Sequence, residues 1–311
     1  MLDWSDRHQR MLMRIMSKHS LVYTEMVTTG ALIHGDAQRY LKYNKAEHPV
    51  ALQLGGSDPK AMAQCAKMAE DAGYNEVNIN VGCPSDRVQN GAFGACLMAE
   101  PELVAENYAA MQATVEIPVT VKNRIAIDDM EEEETLRRFL SIVSSAGCKT
   151  FIVHARKAWL KGLSPKQNRD VPPLNYELVY QMKREFPELE LIINGGIKTL
   201  AECSEHLDHL DGVMVGREAY HNPYIMTNVD SQIYATEVDV LERMEVLDAY
   251  KEYMQQQMSE GVFLKSMSRH LLGLFTGEAG AKAWRRYISE NAHRAGAGIE
   301  VIEKAASFIK T

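Results

Sequence analysis

Cysteine is scarce and unpaired in this sequence: Cys65, Cys83, Cys96, Cys148 and Cys203 are the only five, and no CxxC pair occurs. An odd count without close pairs excludes a disulfide framework and a four-cysteine zinc site. No HxxxH or His/carboxylate cluster accompanies His154 either, so a metal site there is not expected. There is no apolar run near the roughly 18 residues of a membrane-crossing helix. The N-terminus, Met1-Leu2-Asp3-Trp4-Ser5-Asp6, lacks the basic start and apolar core of a signal peptide. These absences predict a soluble cytoplasmic protein with no membrane partner. No GxGxxG and no Walker-type loop occurs, which argues against a Rossmann or P-loop nucleotide site.

What is present is a large apolar fraction. Hydrophobic residues make up 46% of 311, enough for a barrel-sized core with a smaller unit beside it. The net charge of −8 argues against indiscriminate nucleic-acid binding but leaves room for a local basic face. Much of the negative charge sits in 128–134, DDMEEEE. That block reads as a solvated loop running into a helix N-terminus, where carboxylates suit the dipole.

Short apolar segments at 21–27, 49–55, 76–82, 118–124, 150–156, 189–195 and 212–217 alternate with amphipathic stretches such as 59–72, 102–114, 133–146 and 176–186. This βα repetition predicts parallel strands joined by crossover helices. An α/β TIM (β/α)8 barrel would need eight strands, with its chemistry at their C-terminal ends. Seven are found, and the chain opens on a helix near 6–17, so the first strand is expected to be missing from this chain. After Asn222-Pro223 the pattern becomes helical, at 239–257, 265–274, 280–291 and 298–309. The expected organisation is a barrel domain over 1–229 and an all-α helical domain over 230–311.

The polar residues at the strand ends are the candidates for chemistry. Asn78 and Asn80 lie two apart, on one face of their strand; they hold either a ligand or a structural hydrogen-bond layer. Asn194-Gly195-Gly196 and Gly216-Arg217 end the last two strands, the usual phosphate position in a barrel, with turn chemistry as the plain alternative. Lys122 and His154, on neighbouring strands, are satisfied polar residues or contacts to an anionic, electron-rich cofactor. Cys83 follows a strand tip in Gly82-Cys83-Pro84. An unperturbed thiol titrates at about 8.5 and suits a general acid, whereas a nucleophile needs a partner that keeps it ionised. The residues alone leave both roles open.

These segments resemble the tRNA-dihydrouridine synthases, in particular the DusA branch. The resemblance covers essentially the whole chain. It rests on VYTEMVTTGA at 22–31, HPVALQLGGSDP at 48–59, NINVGCPSDRVQNGAFGACLM at 78–98 and VTVKNRI at 119–125. It continues in FIVHARKAWLKGLSPKQNRDVPPLNY at 151–176, INGGI at 193–197 and VMVGREAYHNPY at 213–224. It implies a flavoprotein that reduces the C5–C6 bond of uridine in the tRNA D-loop, at U20 and U20a, with FMN as cofactor and NADPH as reductant. By resemblance, Gln53, Lys122, His154, Asn194, Gly195, Gly196, Gly216 and Arg217 hold FMN. Met1 and Leu2 join them as what remains of an Ala-Pro-Met element that ends the family's first strand. Cys83 donates a proton to C5 while hydride reaches C6, and Asn80 faces the flipped uracil.

tRNA needs cations along its backbone. The long segment after His154 offers Arg156, Lys157, Lys161, Lys166 and Arg169; the helical region offers Lys265, Arg269, Lys282, Arg285, Arg286 and Arg294. For each of these the plain alternative is a solvated charged face. Trp284 either stacks or packs. A monomer is expected. The rival functions are an FMN barrel reductase of a free pyrimidine, a non-catalytic tRNA-binding protein, and an aldolase-like barrel using Lys122.

Overall fold

The computed structural model describes residues 1–85 and 91–310, in two compact units. The first takes in residue 1, 23–43 and 48–216. It is built on seven strands that lie side by side in chain order. They are β1 (Val22–Thr28), β2 (Val50–Gly55), β3 (Glu76–Val81), β4 (Val119–Arg124), β5 (Thr150–His154), β6 (Glu190–Asn194) and β7 (Gly212–Met214). From β2 to β7 every neighbouring pair is parallel. All six residues of β2 are buried, as expected of a parallel strand covered on both faces. The seven expected strands are found within a few residues of their predicted bounds. The last is shorter than expected and stops at Met214, with Gly216 just beyond it.

The crossover helices start where side-chain caps satisfy their free N–H groups. Asp58 caps Pro59–Asp71, Glu131 caps Glu132–Ser145 and Asn175 caps Tyr176–Glu185. Thr199 and Glu202 form a reciprocal capping box on Leu200–Leu207. Phe139 meets Phe151 of β5 edge-on at 6.5 Å between ring centroids, so the helix face and the strand share one apolar layer. Most of the acidic block fulfils the dipole role expected of it. Asp128 instead turns inward and accepts a 2.8 Å bond from Leu160 N.

The second unit comprises 2–22, 44–47 and 217–311. It therefore reaches beyond 230–311, and the reason is a set of buried polar contacts. Arg10 meets Glu47 at 2.6 Å with both side chains buried. Asp230 accepts from Ser17 Oγ and Lys18 N, each at 2.6 Å. Tyr250 donates to His8 O at 3.0 Å. The helices Arg243–Ser259, Leu264–Ser268, Ala281–Asn291 and Glu300–Ala306 complete this unit. Trp284 is fully buried, donates to Leu271 O at 3.0 Å and packs edge-on against Phe275; it packs and does not stack. Among the described residues no helix is long and apolar enough to cross a membrane.

Candidate active site

Strand parity sends alternate side chains to one face of the sheet, and that face is polar. Deepest in it, Tyr23 and Thr120 both donate to Glu76 Oε1 at 2.6 Å. One layer further along, Asn78 donates to Thr120 Oγ1 at 2.8 Å and accepts from Gln53 Nε2 at 2.8 Å. Burial raises the Glu76 carboxyl above its usual range, against the pull of those two hydroxyls. The sequence reading missed this lower layer, although Glu76 stands two residues before Asn78 and parity alone puts it on the same face.

Asn80 links this layer to the cysteine. Its Nδ2 donates to Gln53 Oε1 at 2.8 Å, while its Oδ1 accepts from Gly82 N at 3.1 Å and Cys83 N at 3.0 Å. A chain leaving a parallel strand has N–H groups without ladder partners, and the Asn80 amide supplies one acceptor for two of them. Cys83 O also accepts from Ala95 N at 2.9 Å. The thiol is half-buried, with Ser85 Oγ 3.4 Å away. Cys65, Cys148 and Cys203 are buried instead, and burial pushes their thiols up to about 11, 12 and 11. Cys96 is half-buried and donates to Phe93 O at 3.1 Å.

Lys122 lies opposite Asn80 in the β3–β4 register. Its ammonium donates to Asn194 Oδ1 at 2.9 Å, and Asn194 Nδ2 donates to Met214 O at 2.8 Å. Burial, then the nearby Arg124, brings this lysine down to about 7. Arg124, His154 and Asn194 follow one another in register across β4, β5 and β6. Beyond Asn194, Gly195 and Gly196 take φ of +119° and +77°, which glycine alone adopts without strain. A Cβ at Gly195 would sit 2.7 Å from His154 Cδ2, and one at Gly196 2.6 Å from Leu174 Cδ1. At Gly216 the nearest atom to such a Cβ is Asn194 Nδ2, at 3.9 Å. Gly195 is thus packed directly against the His154 ring, and Gly216 lies within van der Waals reach of Asn194.

Gln53, Asn80, Cys83, Lys122, His154, Asn194, Gly195, Gly196 and Gly216 all belong to this strand-end region of the first unit. Arg217 opens the helix Arg217–His221 rather than closing a strand. Met1 and Leu2 are both exposed. Among the described residues no group of three or more His, Cys, Asp or Glu side chains could hold a metal ion.

The basic segment after His154 is a built loop. Asn168 is fully buried. Its Oδ1 accepts from Trp159 N at 2.7 Å, and its Nδ2 donates to Trp159 O at 2.8 Å and Leu163 O at 3.1 Å. Arg156 is turned onto the loop's own carbonyls at Asp170 and Pro172, and Lys157 donates to Met130 O at 2.7 Å. Lys161 and Lys166 are exposed, while Arg169 is half-buried. In the second unit, Lys282, Arg285 and Arg286 are exposed on Ala281–Asn291, at the i, i+3, i+4 spacing of one helix face. Arg286 is paired with Glu290 at 2.8 Å. Arg269 pairs with Asp6 at 2.6 Å and lines a cavity with Arg285, Tyr220 and His221.

A family model described as "Dihydrouridine synthase (Dus)" matches residues 1–310. A tRNA-dihydrouridine(20/20a) synthase of Vibrio cholerae is 58% identical over 310 residues, 99% of this chain and 94% of the relative. The Escherichia coli K12 protein of the same name is 58% identical over 310 residues, covering 99% of this chain and 90% of its own. That of Shewanella oneidensis is 57% identical over 311 residues, covering 100% and 92%.

Proposed function

The chain belongs to the dihydrouridine synthase family, and we propose that it reduces uridine to 5,6-dihydrouridine in the tRNA D-loop, at U20 and U20a. The observation that carries this reading is the Cys83 turn. A half-buried cysteine follows a strand end with its N–H held by Asn80, and Lys122 lies opposite Asn80 in the strand register.

The residues fit a flavin mononucleotide. Gly195 and Gly196 leave no room for a Cβ and hold positive φ, and Gly216 follows the last strand, so bare backbone N–H groups gather where a phosphate cradle requires them. His154 and Arg217 stand next to that cradle in sequence or register, and Lys122, Gln53 and Asn194 supply donors for the ring. Bound FMN would supply the hydride equivalent for uracil C6, with NADPH as the reductant. Cys83 gives its S–H proton to C5 on the opposite face, so the thiol becomes thiolate as the C5–H bond forms; hydride and proton together saturate the double bond. Asn80 holds the turn that aims the thiol. Its Nδ2 keeps a second N–H, beyond the one given to Gln53, for a uracil carbonyl. Lys122 presents a cation to the electron-rich ring.

The target base must leave the stack to reach this site. Arg156, Lys166, Arg169, Lys282, Arg285 and Arg286 are the residues we assign to tRNA. Exposure favours Lys166, Lys282 and Arg285, whereas Arg156 acts through the loop it braces. We read the seven-stranded sheet as the larger part of a TIM-type barrel, with FMN binding in 1–229 and tRNA-binding helices in 230–311. The enzyme works as a monomer in the cytoplasm.

Expression of this chain in a strain without dihydrouridine synthases tests the reading. The purified protein should be yellow and its tRNA should regain dihydrouridine by mass spectrometry. A yellow protein that restores none would contradict the proposal.

A further inference from the structure

Arg124 raises a question that the reaction does not answer. It ends β4 and is 2% exposed, yet among the described residues it meets no carboxylate. A buried cation without a counter-ion is costly unless its donors are satisfied. Here two of its three nitrogens donate to main-chain carbonyls. Nε donates to Gly82 O at 3.2 Å, and Nη1 to Asn168 O at 3.1 Å and Lys157 O at 3.4 Å. Its Cγ lies 3.8 Å from where a Gly82 Cβ would stand, so the turn rests on the arginine stem. Burial lowers the guanidinium to about 10, opposed by the field of Cys83 and assisted by Arg156 and Arg169. It is therefore still a cation at neutral pH.

The three acceptors belong to two loops. Gly82 immediately precedes Cys83. Asn168 is the buried hub of the basic loop, and Lys157 stands at that loop's start. We propose that Arg124 is a positioning residue that ties the Cys83 turn to the basic loop 157–170, so that the loop reaching for tRNA also fixes the thiol. The proposal rests on the reading of Cys83 as proton donor. A planar fork can reach carbonyls on two sides at once; a lysine in the same space keeps the charge but offers one ammonium to one side or the other. The basic loop carries the exposed Lys161 and Lys166, so the clamp connects a surface that meets polyanion with the group that delivers the proton. Its loss should act on chemistry rather than on binding, because small misplacements of a reacting group slow the step far more than they weaken the complex.

Arg124→Lys and Arg124→Met test this in the full-length holoprotein. Hydrogen exchange in the oxidised protein without tRNA should quicken about tenfold at amides of both 80–85 and 157–170. Flavin reoxidation by tRNA should slow by about 10- to 100-fold. Flavin reduction by NADPH, flavin content and tRNA affinity should stay within about threefold of the parent, since Arg124 contacts main chain only. Faster exchange in one segment alone, unchanged tRNA-driven reoxidation, or equal loss in both half-reactions would overturn the proposal. So would loss of flavin with a lower melting temperature in both variants, which would assign Arg124 to stability alone. Cys83→Ala separates the two ideas: full tRNA-driven reoxidation in that variant contradicts Cys83 as donor, while the exchange result still decides the clamp.

Discussion

Lys122 on β4 donates a 2.9 Å hydrogen bond to Asn194 on β6, across the intervening β5. Strands two apart in a flat sheet are separated by roughly 9–10 Å. The bond therefore shows both the reach of the lysine and the inward curl of the sheet. The same contact places a cation among amides at the strand ends, held near neutrality by burial and by Arg124.

A lysine brought down to about 7 is partly deprotonated at neutral pH. An anionic or electron-rich ligand beside it favours the charged form. Flavin binding at pH 8 should therefore take up a proton. Calorimetry in buffers of different ionisation enthalpy measures this, and Lys122→Met should abolish the uptake and weaken binding.

Asn80→Ala removes the acceptor for Gly82 N and Cys83 N and the donor to Gln53. Leaving such groups unpaired costs about 1–3 kcal/mol. The melting temperature should fall, and dihydrouridine formation should fall further than the loss of folded protein explains. Asn80→Asp keeps the acceptor and should retain more of both.

How far the sequence reveals this arrangement depends on the range of the contacts. β2 was legible because a parallel strand buried on both faces is a near-continuous apolar run, and Val50–Gly55 is one but for Gln53. Asn80, Cys83 and Lys122 were legible as polar residues at strand ends. The bond from Lys122 to Asn194 and the reach of Arg124 to Asn168 were not, because no periodicity encodes a contact between residues tens of positions apart. The helix expected over 265–274 is broken: Leu264–Ser268 gives way to a 3-10 turn at Arg269–Leu271. Just beyond it Gly273 approaches the main chain closely, and a Cβ there would overlap His221 O. Residues 2–22 join the helical unit through Asp230 and Glu47, both ordinary acidic residues in the sequence.

His8 is buried with its Nδ1 2.7 Å from Tyr253 OH. Burial, then Arg7, lowers it to about 4; Asp6 opposes, while His270 and Arg269 assist. Below its unfolded value the unfolded chain binds the proton and the folded chain does not, so stability falls as pH drops from 6.5 towards 4. The loss should be on the order of 3 kcal/mol. Asp6 adds to it below its own unfolded value, because its folded carboxyl is lowered: burial opposes this, but His270, the Gln9 N–H and Arg269 together outweigh it. Urea midpoints measured across that range should fall steeply, and His8→Gln should flatten the slope.

Lys282 and Arg285 are exposed on one helix face, whereas Arg286 is engaged with Glu290. Replacing either Lys282 or Arg285 by Ala should weaken tRNA binding and reduce the slope of log K against log salt by about 1. Arg286→Ala should change the slope less. Filter binding at several salt concentrations distinguishes the three.

The most direct test of the account is the single-turnover rate of dihydrouridine formation by pre-reduced Cys83→Ala on tRNA lacking the modification. A lost general acid should slow this step by about 100-fold or more, with flavin content and tRNA affinity unchanged. A rate within about twofold of the parent's, against that expectation for an acid, would remove Cys83 from proton delivery and contradict the assignment of this strand-end site.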